Sequence, residues 1–133
     1  MKKIIFALMM LTSLQSCYTI YHEASYVIDF REYVNNGFMI SPTDTGFDYT
    51  PIAQLEVNYY LGQKVIDGDT KDLKKGSDGN YFPTSKRLMD KVVEKAKSLG
   101  GDGIVCFNIK YYPPTKSSQA YYQATGVAVK VKK

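Results

Sequence analysis

Apolar residues recur every three or four positions along residues 84–99, which is the spacing of one face of an α-helix. Lysine and arginine occupy the opposite side, Thr84 or Ser85 can cap the start, and Gly100 allows the chain to reverse at the end. The apolar stripe consists of Leu88, Met89, Val92, Val93, Ala96 and Leu99. The pattern predicts an amphipathic helix that packs on a core and is followed by a glycine-rich turn.

Alternation with a period of two predicts a strand before this helix. Polar residues separate the apolar members of the run, which are Ala53, Leu55, Val57 and Tyr59. We expect one face of this strand to be buried and the other to be exposed to solvent.

Two further strands are predicted after the helix, over residues 104–112 and 120–131. In the first we expect Cys106 to be buried and four residues to share one face, namely Val105, Phe107, Ile109 and Tyr111. In the second, valines alternate with small residues. The two prolines at 113 and 114 end the first strand and leave a short connection.

The order strand, helix, strand, strand predicts one α+β domain over residues 29–133. It is a two-layer β-α-β-β unit, with a small antiparallel sheet and one helix packed on it. Ahead of it we expect a short helix over residues 30–35 with Asp29 as N-cap, and a short strand or extended segment over residues 38–40. Residues 67–80 are polar and rich in glycine, which predicts an exposed loop.

The first residues follow another pattern. Lys2 and Lys3 precede an apolar run over residues 4–14 that is too short to span a bilayer, which is typical of a secretory signal. The run Leu14-Gln15-Ser16-Cys17 resembles the lipobox of bacterial lipoproteins, whose cysteine carries the lipid after cleavage. We therefore expect a signal peptide over residues 1–16, lipid on Cys17 and a tether over residues 17–28. The alternative is an ordinary secreted protein with a chance cysteine near the cut.

Charge is distributed unevenly along the exported part of the chain. Residues 17–72 hold three basic and nine acidic side chains, a net −6, whereas residues 73–133 hold twelve basic and four acidic ones, a net +8. Such halves attract each other within one domain or between subunits. Because the basic residues are spread over a helix face and the tail of an exported chain, nucleic acid is not an expected partner.

Candidates for chemistry are few. The single histidine is His22, and no catalytic motif surrounds any serine, so an enzyme is the class with the least support. Clustered carboxylates at Asp67, Asp69 and Asp72 are the weak candidates for a hard cation such as calcium, although Lys71 breaks the EF-hand pattern and a solvated acidic turn is favoured. No cofactor is predicted.

Three Tyr-Tyr pairs stand at positions 59–60, 111–112 and 121–122. Neighbouring strand residues point to opposite faces, so each pair places one ring on each side of the sheet. We take Tyr60, Tyr112 and Tyr122 as the candidate interaction surface for a protein or glycan partner, because tyrosine is favoured at interfaces. The favoured alternative is structural, with rings that cover a thin sheet or seal contacts between subunits.

Two short motifs carry a family resemblance. The run Ala96-Lys-Ser-Leu-Gly-Gly-Asp-Gly-Ile-Val105, followed by Ala124-Thr-Gly-Val-Ala-Val129, resembles the YbjQ-like family of heavy-metal-binding proteins over residues 52–131. The resemblance implies a β-α-β-β unit like the dodecin subunit, with an antiparallel strand order of 1-3-2, and a homo-oligomer, since soluble relatives form pentamers. A similar unit in an outer-membrane lipoprotein of enterobacteria implies the same membrane here.

These observations predict a lipid-anchored envelope protein, placed in the outer membrane, that acts as a non-enzymatic binding, sensing or assembly module. Its expected partners are the membrane, through Cys17, further copies of itself and an envelope protein. The alternative function is metal binding at a site between subunits or at the loop aspartates.

Overall fold

The computed structural model describes Tyr21, Glu23, Ser25 and residues 27–133. The expected signal peptide, Cys17 and His22 lie outside the described residues. Within the described part, no helix combines the length and the apolar character needed to cross a membrane. Its elements are α1 (Arg31–Asn35), β1 (Met39–Ile40), β2 (Tyr49–Tyr60), β3 (Leu73–Lys75), β4 (Tyr81–Pro83), α2 (Ser85–Ser98), β5 (Gly103–Tyr112) and β6 (Tyr121–Val131).

Four of the strands form one sheet in the order β1-β5-β6-β2. The three long strands pair antiparallel with one another and lie in the expected order, with β6 between β2 and β5. The predicted α+β fold is confirmed. β1 pairs with β5 in parallel, so the sheet is mixed where the sequence predicted an antiparallel one.

The main helix, α2, covers one face of this sheet. The Thr84 side chain accepts a hydrogen bond from the Arg87 backbone N–H at 3.3 Å, which confirms it as the N-cap. Five stripe residues are buried, namely Leu88, Met89, Val92, Val93 and Ala96. Leu99 was expected among them but is 41% exposed, because the helix ends at Ser98 and the chain then reverses at Gly100, where φ is +85°.

A bulge in β5 changes which side chains face the core. Cys106 has a φ of +56°, and the register with β6 shifts there. As a result Ile104 and Phe107 both join the core beside α2, whereas Val105 lies on the opposite face. The prediction that Val105 and Phe107 share a face is therefore wrong. So is the predicted burial of Cys106, whose side chain is exposed.

The face of the sheet opposite α2, the open face, is covered at one end. Residues 41–48, the crossing segment, connect β1 at one edge with β2 at the other. Backbone hydrogen bonds join this segment to β5 and to the residue after β6. The crossing accounts for the burial of Val105 and Val129, which lie on this face at 2% and 0% exposure.

The predicted short helix is present as α1. Its N-cap is Phe30 rather than Asp29, but the Asp29 carboxylate still accepts a hydrogen bond from the Arg31 backbone N–H at 2.9 Å. Phe30 packs edge-on against Phe107 with ring centroids 5.9 Å apart, and Ile28 also contacts the core. The chain is thus anchored to the fold from Ile28 onward.

The predicted exposed loop over residues 67–80 contains a strand. β3 pairs antiparallel with β4 to form a separate two-stranded sheet just before α2. The adjacent apolar residues 65 and 66 form no strand, and Ile66 is fully exposed. β3 could not be predicted from the sequence because it has one large apolar residue, Leu73, and therefore no alternation of apolar and polar positions.

Candidate interaction surface

All six tyrosines of the three pairs meet at one end of the sheet. In the strand register, Tyr121 lies between Tyr60 on β2 and Tyr112 on β5. The other three form the next row, with Tyr122 between Tyr59 and Tyr111. Since neighbouring residues of a strand point to opposite faces, the two rows lie back to back across the sheet.

The open face carries the row Tyr60, Tyr121 and Tyr112, which we call the tyrosine row. The rings of Tyr112 and Tyr121 are stacked, with centroids 4.7 Å apart and planes 11° from parallel. Tyr60 and Tyr121 are 5.1 Å apart and tilted by 39°. Tyr60 remains 58% exposed. The three rings form a continuous aromatic strip across three strands.

The second row belongs to the face covered by α2. The Tyr59 hydroxyl donates a hydrogen bond to the Leu88 carbonyl of the helix at 2.9 Å, and burial raises the pKa of this phenol. Tyr122 packs on Tyr111 at 5.1 Å on this side. The structure therefore separates Tyr122 from Tyr60 and Tyr112, and Tyr121 takes its place in the row on the open face.

Amide side chains extend the tyrosine row along the open face. The Tyr112 hydroxyl donates to Gln123 Oε1 at 3.4 Å, and Gln123 Nε2 donates to Asn58 Oδ1 at 3.2 Å. Asn58 Nδ2 then donates to Glu56 Oε1 at 3.2 Å. This chain fixes the orientation of each side chain, so the face presents aromatic and amide groups in a defined arrangement.

A concavity of about 520 Å³ opens beyond the same end of the sheet. It lies between the chain that leaves β2 and the connection from β5 to β6, and Tyr111 forms part of its wall. Most of its polar wall is already occupied internally, since Gln119 Nε2 donates to the Leu61 carbonyl at 3.0 Å and Asn80 donates to Asp78. The end of the sheet thus presents a mixed aromatic and polar surface, part of whose amide groups are bonded within the chain.

The loop aspartates do not form a joint site. Asp67 accepts a hydrogen bond from the backbone of Asp69. The pKa of Asp69 is lowered, first by the backbone N–H of Lys71 and then by the Arg87 guanidinium, whose Nη1 lies 2.9 Å from the carboxylate. Within residues 27–133, no three His, Cys, Asp or Glu side chains, Asp72 included, are grouped to hold a metal ion. Arg87 supplies the positive charge that a cation would bring to Asp69.

Sequence reasoning missed Tyr121 and the amides beside it. It paired the faces correctly within each dipeptide, but it had no strand register with which to decide which members meet. The information that decides the choice is the pairing register of the strands. With β6 in the centre and antiparallel to both neighbours, Tyr60 and Tyr112 both lie opposite Tyr121.

Comparison with known proteins shows a distant structural similarity. No family model matches the chain, and no curated protein matches it. A crystal structure at 2.73 Å resolution of a protein of unknown function from Pediococcus pentosaceus ATCC 25745, which belongs to the DUF74 family, is similar with a TM-score of 0.42. The two chains are 15% identical, and the alignment covers 72% of this chain and 99% of that one. No residue role follows from a likeness at this level.

Proposed function

We propose that this protein is a lipid-anchored binding module of the bacterial envelope, held to the outer membrane through Cys17, and that it binds an envelope protein through the open face of its sheet. The observation that carries the proposal is the tyrosine row on a face that α2 leaves uncovered. The proposed role is non-enzymatic.

The shape of the surface favours a protein partner. Three aromatic rings lie across three strands with Gln123 and Asn58 beside them, which gives a broad, flat strip. Protein interfaces are enriched in tyrosine and are flat on this scale, whereas small ligands prefer deep concave sites. Because the rings stack on each other and the amides are hydrogen bonded, little side-chain entropy remains to be lost on binding.

The leader supports the location. A basic start, a short apolar run and the sequence Leu14-Gln15-Ser16-Cys17 together are typical of exported lipoproteins. An anchored module meets partners in the same membrane or in the adjacent envelope space, where a flat protein-binding face can act without any chemistry of its own.

The test compares two tyrosines that differ in face. A photoreactive phenylalanine analogue is placed at Tyr60, on the open face, or at Tyr111, on the α2 face, in the full chain expressed with its own leader. The two positions are matched because both side chains are exposed, at 58% and 51%. We expect a discrete crosslinked band on illumination of intact cells from position 60 and none from position 111.

A second substitution on the same face provides a further test. Changing Tyr112→Ser in the position-60 variant removes the ring stacked on Tyr121 and should abolish the crosslink, while circular dichroism of the purified chain reports whether the fold persists. Equal crosslinking from both positions, or crosslinking from position 111 alone, would show that the open face is not the binding surface.

A further inference from the structure

β2 lies at the edge of the sheet, and its hydrogen-bonding phase can be worked out. The Leu61 backbone N–H donates to the Ala120 carbonyl at 2.9 Å, in the same register that pairs Tyr59 with Tyr122. Because bonded and non-bonded pairs alternate in an antiparallel ladder, the odd-numbered residues from 53 to 61 bond to β6. The even-numbered residues Gln54, Glu56 and Asn58 therefore direct their N–H and C=O groups away from the sheet.

This outer edge carries few of the features that normally prevent pairing with another chain. Pro51 and the register shift at Ile52 disrupt only its start, and the N–H of Tyr81 bonds to the Gly62 carbonyl at 2.8 Å just beyond its end. Between them, residues 53–60 contain no proline, glycine or lysine, and Glu56 is the one charge. Within residues 27–133, no strand pairs with this stretch on its outer side. Such an edge is a template for strand addition.

The opposite edge of the sheet is occupied over the first half of β5, up to Phe107. β1 pairs with the start of β5, and Ser41 continues the pairing by donating to the Ile104 carbonyl at 2.9 Å and accepting from the Phe107 N–H at 3.1 Å. A head-to-tail ring of sheets would need a second free edge along this part of β5. Residues 108–112 of β5 have no strand on this side within the described part of the chain, but this free stretch is shorter than residues 53–60 of β2. The longest free edge is therefore that of β2, which favours a contact in which two copies use the same surface.

The charged side chains beside the β2 edge include both signs, so this surface is complementary to a second copy of itself. A concavity of about 480 Å³ next to β2 is lined on its polar side by two lysines and two glutamates, namely Lys91, Lys95, Glu56 and Glu94. A two-fold axis through the edge would place this set opposite an identical set, so that lysines can face glutamates. A partner of a single sign of charge would meet repulsion from half of these groups.

We propose that two copies of this chain pair antiparallel through their β2 edges, with the two-fold axis at Leu55. Gln54 then lies opposite Glu56 of the partner subunit, and the two glutamates are not directly opposed, as they would be with the axis at Glu56. The result is a continuous eight-stranded sheet with both α2 helices on one side and both open faces on the other. This contact differs from the pentamer that the family resemblance implies.

The test uses the full chain in a density-matched detergent, studied by sedimentation equilibrium over a range of concentrations. We expect a monomer–dimer equilibrium. Gln54→Glu places a negative charge opposite Glu56 of the partner subunit at two symmetric positions and should raise the dimer Kd on the order of tenfold. Gln54→Lys, the matched substitution of opposite sign, should lower it. Both changes are at an exposed residue, so the fold should persist.

Hydrogen exchange of the unmodified chain gives a second measurement. The amides of Gln54, Glu56 and Asn58 should exchange rapidly at low concentration and become protected as the dimer forms, whereas that of Leu55, already bonded to β6, should change little. A monomer at all concentrations, a pentamer, or a dimer whose Kd does not respond to either Gln54 substitution would overturn the proposal.

Discussion

Gly126 is the glycine at which an added side chain would meet the closest neighbour. It lies on β6 opposite the bulge of β5, and a Cβ added there would stand 2.6 Å from Ile104 Cγ2 and 3.4 Å from the Val105 carbonyl oxygen. Ile104 is fully buried and cannot move aside without disturbing the core. The absence of a side chain at 126 is what allows the bulged strand to approach.

We expect Gly126→Ala to lower the free energy of unfolding by about 1–3 kcal/mol, because the added methyl overpacks a closed core. Urea denaturation followed by circular dichroism measures the loss. Gly62→Ala serves as the control, since its nearest neighbour is the flexible end of Gln119 at 3.4 Å and the change should cost about 0.5 kcal/mol or less. Equal effects at the two sites would contradict the crowding argument.

Thr84 joins two elements, α2 and the β3–β4 hairpin. Its hydroxyl oxygen accepts from the Arg87 N–H at the helix start, and the hydroxyl donates to the Asp72 carbonyl at 2.8 Å. Its backbone N–H donates to the same carbonyl at 3.0 Å. One side chain thus caps the helix and also fixes the hairpin to it.

Removing this hydroxyl should destabilise both elements together. We expect Thr84→Ala to lower the free energy of unfolding by about 1–2 kcal/mol, with increased hydrogen exchange in β3 as well as in the first turn of α2. Thr84→Ser keeps the hydroxyl and should retain most of the stability. If exchange rises in the helix alone, the bond to Asp72 contributes nothing to holding the hairpin.

Which elements the sequence could predict depended on how regular their patterns were. The three- and four-residue spacing of α2 and the alternation of Ala53 to Tyr59 gave the right element and the right buried face. The run Ile104-Val-Cys-Phe107 is apolar throughout, so no pattern marks the residue at which the bulge shifts the alternation. β1 is two residues long and pairs with a strand more than sixty residues away, which no local pattern reports.

For the candidate surface, the sequence predicted that the two rings of each pair take opposite faces of the sheet, but not which rings become neighbours. Alternation within a strand places the two rings of each Tyr-Tyr pair on opposite faces, and this holds in the structure. Which rings become neighbours depends on the pairing register of three strands, and register is a long-range property. The choice of Tyr122 over Tyr121 failed at that step.

At the scale of the whole molecule, the acidic first half and the basic second half meet inside one domain. Arg87 pairs with Asp69 at 2.9 Å, and Lys86 pairs with Glu32 at 3.2 Å, each across the two halves. Three of these four side chains are more than 40% exposed, so the pairs contribute little to stability. Their effect is on the surface field, which they reduce where α2 meets the hairpin and α1.

In the proposed function, the location of the molecule depends on the side chain of Cys17. We expect Cys17→Ala, expressed with its own leader, to move the protein from the membrane fraction to the soluble envelope fraction, because no thioether bond to lipid can form. Immunoblotting of separated fractions measures this, with Cys106→Ala as the matched control that should remain in the membrane. Persistent membrane association of the Cys17 variant would remove the lipoprotein proposal.

The packing of Ile28 and Phe30 against the core sets a limit on distance. Ten residues lie between the proposed lipid site at Cys17 and Ile28, and even a fully extended chain over these eleven residue-to-residue steps reaches about 35–40 Å. The proposed anchor at Cys17 would therefore keep Ile28 within about 35–40 Å of the membrane, and a partner would have to meet the domain within that distance plus the length of the domain itself. Under the proposed anchoring, a partner fixed farther away would be reached only by a chain with a longer tether. The length of the tether would then determine which partners this protein can bind.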